Sequence, residues 1–240
     1  IEGVTGSGKT LVYFKRIKDI LEKGLQVLIL LPEIALTNQF SRKFKEFFGT
    51  EPAIWHSGTT KKNKSIIWKG ITEGKIKIVV GARSSLFLPF KNLGIIIVDE
   101  EHDASYKQDE GISYNARDMA ITRASLENIP INLVTSIPSI ETYNNIVNKK
   151  YYITKLNKRY KEAPLPNIEI INLNSESLKK DSWIANKTIN KVDQFLKNGD
   201  QVLFFLNRRG YAPFVICKIC GYKFQCPKCS INLNFHQIIK

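Results

Sequence analysis

Cysteine is absent before Cys217, acidic residues are scarce, and no long apolar run occurs anywhere in this 240-residue sequence. Each absence excludes something. No stretch approaches the ~18 apolar residues that a membrane-spanning helix needs. Four cysteines confined to Cys217–Cys229 are not a disulfide framework spread over a secreted fold; they read as a metal-ligand cluster in a reducing compartment. Residues from Ile1 onward lack the basic start and apolar core of a secretory signal, so a cytoplasmic chain is expected. There is also no initiator Met, the single methionine being Met119. Only Ile1 and Glu2 stand before a loop that should follow a buried strand, so the sequence is expected to be a piece of a longer one.

Acids number 22 against 36 basic residues, a formal charge of +14. Such an excess suggests a polyanionic partner, nucleic acid first. A compositional origin competes, because the basic residues are 28 Lys and only 8 Arg. With 43% hydrophobic residues, a chain of this length buries one full domain and part of another.

The strongest local signal is Gly3-Val4-Thr5-Gly6-Ser7-Gly8-Lys9-Thr10, a phosphate-loop pattern of glycine, four residues, then Gly-Lys-Thr. Glycines let the backbone turn successive N–H groups inward onto phosphates. Lys9 supplies a point charge for the β and γ phosphates, and the Thr10 hydroxyl can ligate Mg²⁺. A helix predicted over Lys9–Lys23 adds the positive end of its dipole to the same anion.

Apolar runs suited to buried strands follow at Gln26–Leu31, Lys75–Val80, Gly94–Val98 and Ile131–Val134, with a short strand at Ala53–Trp55 leading to His56. His56 reads as a strand-end hydrogen-bonding residue. Helical spacing marks Ile34–Phe48, Lys62–Thr72 and Ser113–Leu126. Strands alternating with helices imply right-handed crossovers and a parallel sheet covered on both faces. Periodicity fades from Asn145 to Asp181, returns as a helix over Ser182–Lys197, and ends in a strand expected at Gln201–Leu206.

The Gly94–Val98 run ends in Asp99-Glu100-Glu101-His102. Paired acids at a strand end complement a phosphate loop: Asp99 can hold Mg²⁺ and Glu100 can deprotonate the attacking water. Together they make an ATP hydrolysis site, with Asp99 and Glu100 as catalytic candidates.

Further blocks accompany these two: LLPEIALT at 30–37, WHSG at 55–58, GARSSLFLPF at 81–90, DEEHDASYKQDEGISYNARDMA at 99–120 and FLNRRGYAP at 205–213. With the cysteine pairs and His236, they resemble the PriA (primosomal protein N′) family of replication-restart DNA helicases in superfamily 2. The resemblance implies an α/β fold: a RecA-like P-loop NTPase lobe with a parallel sheet, then the start of a second RecA-like lobe bearing a zinc-binding cysteine insertion. It places the first lobe at 1–148, a linker at 149–183 and the second lobe at 184–240. It implies ATP-driven 3′-to-5′ unwinding at stalled or abandoned forks. Its partners are single-stranded and forked DNA, single-strand DNA-binding protein, and other primosome and helicase-loading proteins. The competing class is a DNA-binding remnant without motor activity.

Arg83 and Ser84, after a strand end, suit a DNA phosphate. Tyr106, Lys107 and Tyr114 lie in a segment resembling the aromatic-rich loop by which such helicases couple single-strand binding to hydrolysis. Either tyrosine could stack a base or serve as half-buried packing. Ile137 stands where the family usually carries threonine in Ser-Ala-Thr-Pro-Ser, so coupling of hydrolysis to unwinding does not carry over directly.

Cys217-x2-Cys220 and Cys226-x2-Cys229 are two half-sites for tetrahedral Zn²⁺, with a spacer too short for a common paired-knuckle site. In the family two further pairs follow and two zincs are bound, each using an early and a late pair. The sequence ends at Lys240 before such pairs, and before the segment expected to carry an arginine finger. Weak Mg-ATP binding and poor hydrolysis are therefore expected of these residues alone.

Overall fold

A computed structural model describes residues 1–32, 38–109, 111–162, 164, 166–173, 184–205, 220 and 222–224. In chain order the strands and α-helices are β1 (Glu2–Gly3), α1 (Lys9–Glu22), β2 (Gln26–Leu30), α2 (Asn38–Phe48), β3 (Ala53–Trp55), α3 (Lys61–Thr72) and β4 (Ile78–Gly81). They continue with β5 (Leu93–Asp99), β6 (Lys107–Gln108), β7 (Tyr114–Asn115), α4 (Ala116–Leu126), β8 (Ile131–Val134), α5 (Ile140–Val147), β9 (Lys155–Leu156) and α6 (Asn186–Lys197). The chain divides into two units, Ile1–Pro166 and Asn167–Lys240.

In the first unit five strands pair in the order β3-β4-β2-β5-β8, all parallel. β1 pairs in parallel with β9, and Glu2 bridges to Thr135 just beyond β8. The stretch expected to begin the linker thus contributes β9 beside the strand that leads into the phosphate loop.

Strand geometry explains the core. Successive side chains point to opposite faces, and here both are covered. Val27 and Ile29 of β2 join Ile95 and Ile97 of β5 in one cluster with Tyr13, Phe14 and Ile17 of α1. Leu28 and Leu30 join Ile96 and Val98 in the other, against Ile67 and Ile71 of α3 and Ala116, Ala120 and Ala124 of α4. Continuous apolar strands are what a sheet buried on both sides requires.

On α2, Phe40, Phe44 and Phe48 recur every four residues with Phe47 beside them, so the aromatic stripe faces α1. The Phe14 ring meets Phe40, Phe44, Phe47 and Phe48 at centroid distances of 5.1–6.0 Å. Most expected elements appear with shifted ends. The helix expected from Ser113 begins at Ala116, because Tyr114–Asn115 pair with Lys107–Gln108 as a short antiparallel ribbon. Asn115 then caps the helix through its side chain, accepting from Arg117 N at 3.0 Å.

One expectation fails outright. Gln201–Phe205 form no strand, and Leu203 and Phe205 are exposed. A strand exists only through pairing, and among the described residues nothing pairs here; Leu206 lies outside them. In this second unit the described residues include α6, whose Lys187 and Lys191 both hold Glu169.

Replacing Phe44, which is fully buried, by alanine is expected to cost the first unit about 3–5 kcal/mol. Chemical unfolding measures it, and a loss under ~1 kcal/mol would mean that the α2 stripe is not core.

Candidate functional site

The carboxyl ends of β1, β5 and β8 open on one edge of the sheet, the place where open α/β folds bind ligands. From β1 the chain turns through the glycine loop into α1. Gly6 and Gly8 adopt φ of 80° and 87°, a region that side chains with a Cβ rarely enter. Gly3 is required for space: a Cβ there would stand 2.5 Å from Ser7 Oγ. Lys9, nearly buried, donates from Nζ to Gly3 O at 2.8 Å and to Ser136 Oγ at 2.9 Å. The loop and the acids after β5 border one cavity of about 560 Å³, reached also by Phe47, Ser136 and Tyr160. Among the described residues, Ser7 Oγ is a buried side-chain atom with no hydrogen-bond partner. An unpaired buried hydroxyl inside a loop of this kind marks a place for a ligand to complete.

At the end of β5, Asp99 Oδ2 accepts from the Tyr13 hydroxyl at 2.9 Å and Oδ1 from Glu100 N at 3.0 Å. Burial raises the Asp99 pKa above the usual carboxylate value; the Tyr13 bond opposes the shift and the nearby Glu100 adds to it. Tyr13 also meets the Thr10 hydroxyl, so both expected Mg²⁺ ligands, Thr10 and Asp99, converge on one phenol. A half-buried carboxylate at the cavity, beside a threonine hydroxyl, fits a divalent cation. Glu100 sits at φ 48°, a left-handed conformation that non-glycine residues seldom hold outside constrained sites.

Glu101 does something different. It is buried and accepts from four donors: Ser139 N at 2.8 Å, Ser139 Oγ at 3.0 Å, Thr142 Oγ1 at 3.1 Å and Arg117 Nη1 at 3.3 Å. Arg117 also donates to Asp118 and to Ser139 Oγ. Burial would lower the Arg117 pKa, but Asp118, Glu101 and Glu141 outweigh it and the net shift is upward. A buried pair this well bonded is costly to break from one side.

His102 Nδ1 lies 2.7 Å from Thr135 Oγ1. That hydroxyl donates to Ile137 O at 2.6 Å and accepts from Ile137 N at 3.1 Å. Its one proton being used, His102 Nδ1 must carry the hydrogen of the shared contact. Thr135 therefore touches the histidine that follows the acids and Ser136 the loop lysine, whereas the Ile137 side chain is exposed.

The expected DNA contacts separate. Arg83 Nη1 donates to Lys107 O, and the ring of Phe87, on the same 3₁₀ turn as Arg83 and Ser84, meets Tyr114 at 5.4 Å. Arg83, Ser84, Lys107 and Tyr114 thus share one region. Tyr106 does not present its ring there. It is 1% exposed, and the single proton of its hydroxyl is shared between Asp99 O at 2.6 Å and Leu30 O at 3.0 Å. Of the two roles open to it, core packing is the one realised. Of the cysteines, Cys220 is exposed; Cys217, Cys226 and Cys229 lie outside the described residues, as does His236.

Sequence reasoning missed Tyr13, Glu101, Arg117 and Ser136. Tyr13 follows Lys9 by four residues on α1, one helical turn along the same face, and that spacing was the available clue. Glu101 and Arg117 had none, since their partnership spans two elements.

The DEAD/DEAH box helicase model matches residues 1–137. Replication restart protein PriA of Rickettsia conorii (strain ATCC VR-613 / Malish 7) is 54% identical over 240 residues, covering 100% of this chain and 37% of that protein. PriA of Bacillus subtilis (strain 168) is 39% identical over 238 residues, covering 99% of this chain and 30% of the relative. The chain therefore spans about a third of the length of these relatives. In solved structures, RecG bound to a three-way DNA junction superposes with a TM-score of 0.51 at 21% identity, over 82% of this chain and 24% of that one. The DUF1998 helicase MrfA bound to DNA and AMPPNP gives 0.50 at 19%, over 82% and 30%. At such identities the likeness is one of fold, that of RecA-like helicase lobes. Among the described residues no helix is long and apolar enough to cross a membrane.

The raised Asp99 pKa has a signed consequence for stability. The folded state binds this proton more readily than the unfolded one, so the ionised carboxylate costs stability above the folded pKa and the cost fades as pH falls through it. Asp99→Asn is expected to melt at or above the wild-type temperature at neutral pH, with the margin shrinking under acid. Thermal unfolding at both conditions checks this; a lower neutral melting temperature would show that the carboxylate stabilises the fold.

Proposed function

The chain belongs to the DEAD/DEAH box helicase family, and on that premise we propose that it is the ATP-binding part of an ATP-dependent 3′-to-5′ DNA helicase of the replication-restart type. The protein acts at stalled or abandoned forks and unwinds DNA so that a replicative helicase can be reloaded. Support for the restart assignment is the identity to PriA proteins along the whole chain. The observation that carries the motor assignment is the convergence of Lys9, Asp99, Glu100 and Ser136 on one cavity at the carboxyl edge of the sheet.

Each residue has a task there. The loop N–H groups from Gly3 to Thr10 bind phosphates, and Lys9 exchanges Gly3 O and Ser136 for phosphate oxygens. Thr10 and Asp99 hold Mg²⁺, which neutralises phosphate charge when bound. Glu100 takes the proton of the attacking water. Arg83, Ser84, Lys107 and Tyr114 contact single-stranded DNA, the cations at phosphates and the tyrosine at a base.

In the same reading, residues 1–148 are the first helicase lobe, 149–183 the connection and 184–240 the start of the second lobe. Cys217, Cys220, Cys226 and Cys229 are zinc ligands, on the strength of their spacing. The protein works in the cytoplasm with single-strand DNA-binding protein and with primosome and helicase-loading partners.

Binding of a fluorescent ATP analogue with Mg²⁺, and turnover with and without single-stranded DNA at low salt, test the proposal. Lys9→Ala is expected to abolish binding. Glu100→Gln should bind normally and lower turnover by about 10²–10⁴-fold. Equal binding by wild type and Lys9→Ala would end the assignment.

A further inference from the structure

A later segment of the chain lies on the phosphate loop along its length. Glu2 N donates to Thr154 O at 2.9 Å, Val4 N to Leu156 O at 3.2 Å, and Tyr160 N to Gly6 O at 2.8 Å. Arg159 completes the seam: Nε donates to Thr5 O at 3.0 Å and Nη1 to Pro164 O at 2.8 Å. Its guanidinium covers Gly6 so closely that a Cβ there would sit 3.4 Å from Nε. The seam sets one side chain at the cavity. Tyr160 borders it together with the loop, yet the residue is 67% exposed. Across the same cavity lining stands a second partly exposed ring, Phe47.

The loop, Lys9 and Asp99 account for phosphates and cation, and none of them offers a flat apolar face. The remaining part of a nucleotide, the base, requires one. Tyr160 provides it, held by backbone and not by a flexible linker, with Lys161 Nζ 5.7 Å from the ring centroid. The ammonium lies over one face of the ring, and stacking would use the other. Rings of this kind stack any base, because every base has a π-face.

We propose that Tyr160 is the base-stacking residue of the nucleotide site. The inference rests on the reading that the loop cavity takes a nucleoside triphosphate. It also makes the segment after β9 part of that site, so a bound base would bear on the chain leading out of the first unit.

Calorimetric titration of the 240-residue chain with Mg-ATP and with inorganic triphosphate, which has no base, separates the two ideas. Tyr160→Ala is expected to weaken ATP about tenfold and leave triphosphate unchanged, while Tyr160→Phe binds ATP as wild type does. Unaltered ATP affinity in Tyr160→Ala overturns the stacking role and leaves the nucleotide site standing. Equal weakening of both ligands also overturns it, by showing that the residue acts on the loop. Binding of neither ligand to the wild type removes the nucleotide reading itself, and the stacking role with it.

Discussion

Everything in the first unit depends on a parallel sheet that is covered on both faces. Alternation along β2, with Val27 and Ile29 on one side and Leu28 and Leu30 on the other, forces helices onto both surfaces. Parallel strands joined through helices must then all end on the same edge. That edge receives the loop after β1, the acids after β5 and Thr135 after β8. The chemistry is collected there by topology before any polar contact forms, and the apolar strands give it a rigid base.

Polar contacts then tune what topology has collected. The four-residue acidic block divides its labour by burial: Asp99 and Glu100 border the cavity, while Glu101 is withdrawn into the fold. There Glu101 ties the strand end to Ser139 and Thr142 at the start of α5 and to Arg117 on α4. Arg117 lies two residues beyond the ribbon that carries Lys107 and Tyr114, so that ribbon and the acids at the end of β5 are secured to one buried pair. Placing a charge pair in the interior is costly unless its hydrogen bonds are filled, and here four donors fill those of the carboxylate. The substitution at Ile137 reads differently against this arrangement. Side-chain contact between the segment after β8 and the cavity runs through Ser136, while Thr135 meets His102 and residue 137 offers its backbone to Thr135.

The sheet, its helices and the phosphate loop were legible because local patterns encode them. Apolar runs of strand length, aromatics every four residues on α2, and glycines at fixed offsets all follow from backbone geometry over a few residues. The ribbon before α4 was not legible, since two residues carry no strand pattern of their own and Tyr114–Asn115 become a strand only where Lys107–Gln108 comes alongside. Gln201–Phe205 shows the converse: a strand-like run makes no strand without a neighbour to pair with.

By itself the sequence determined the fold class, the glycine loop that leads into α1, and the run of acids that ends β5, because each is a short-range pattern with one cheap conformation. Tertiary structure alone decided which of three neighbouring carboxylates is withdrawn into the fold, that Tyr106 is fully buried while Tyr114 is half-buried against the core, and that Arg159 and Tyr160 return to the glycine loop more than 150 residues after it. Burial and long-range hydrogen bonding are properties of the packed chain, and no local spacing specifies them.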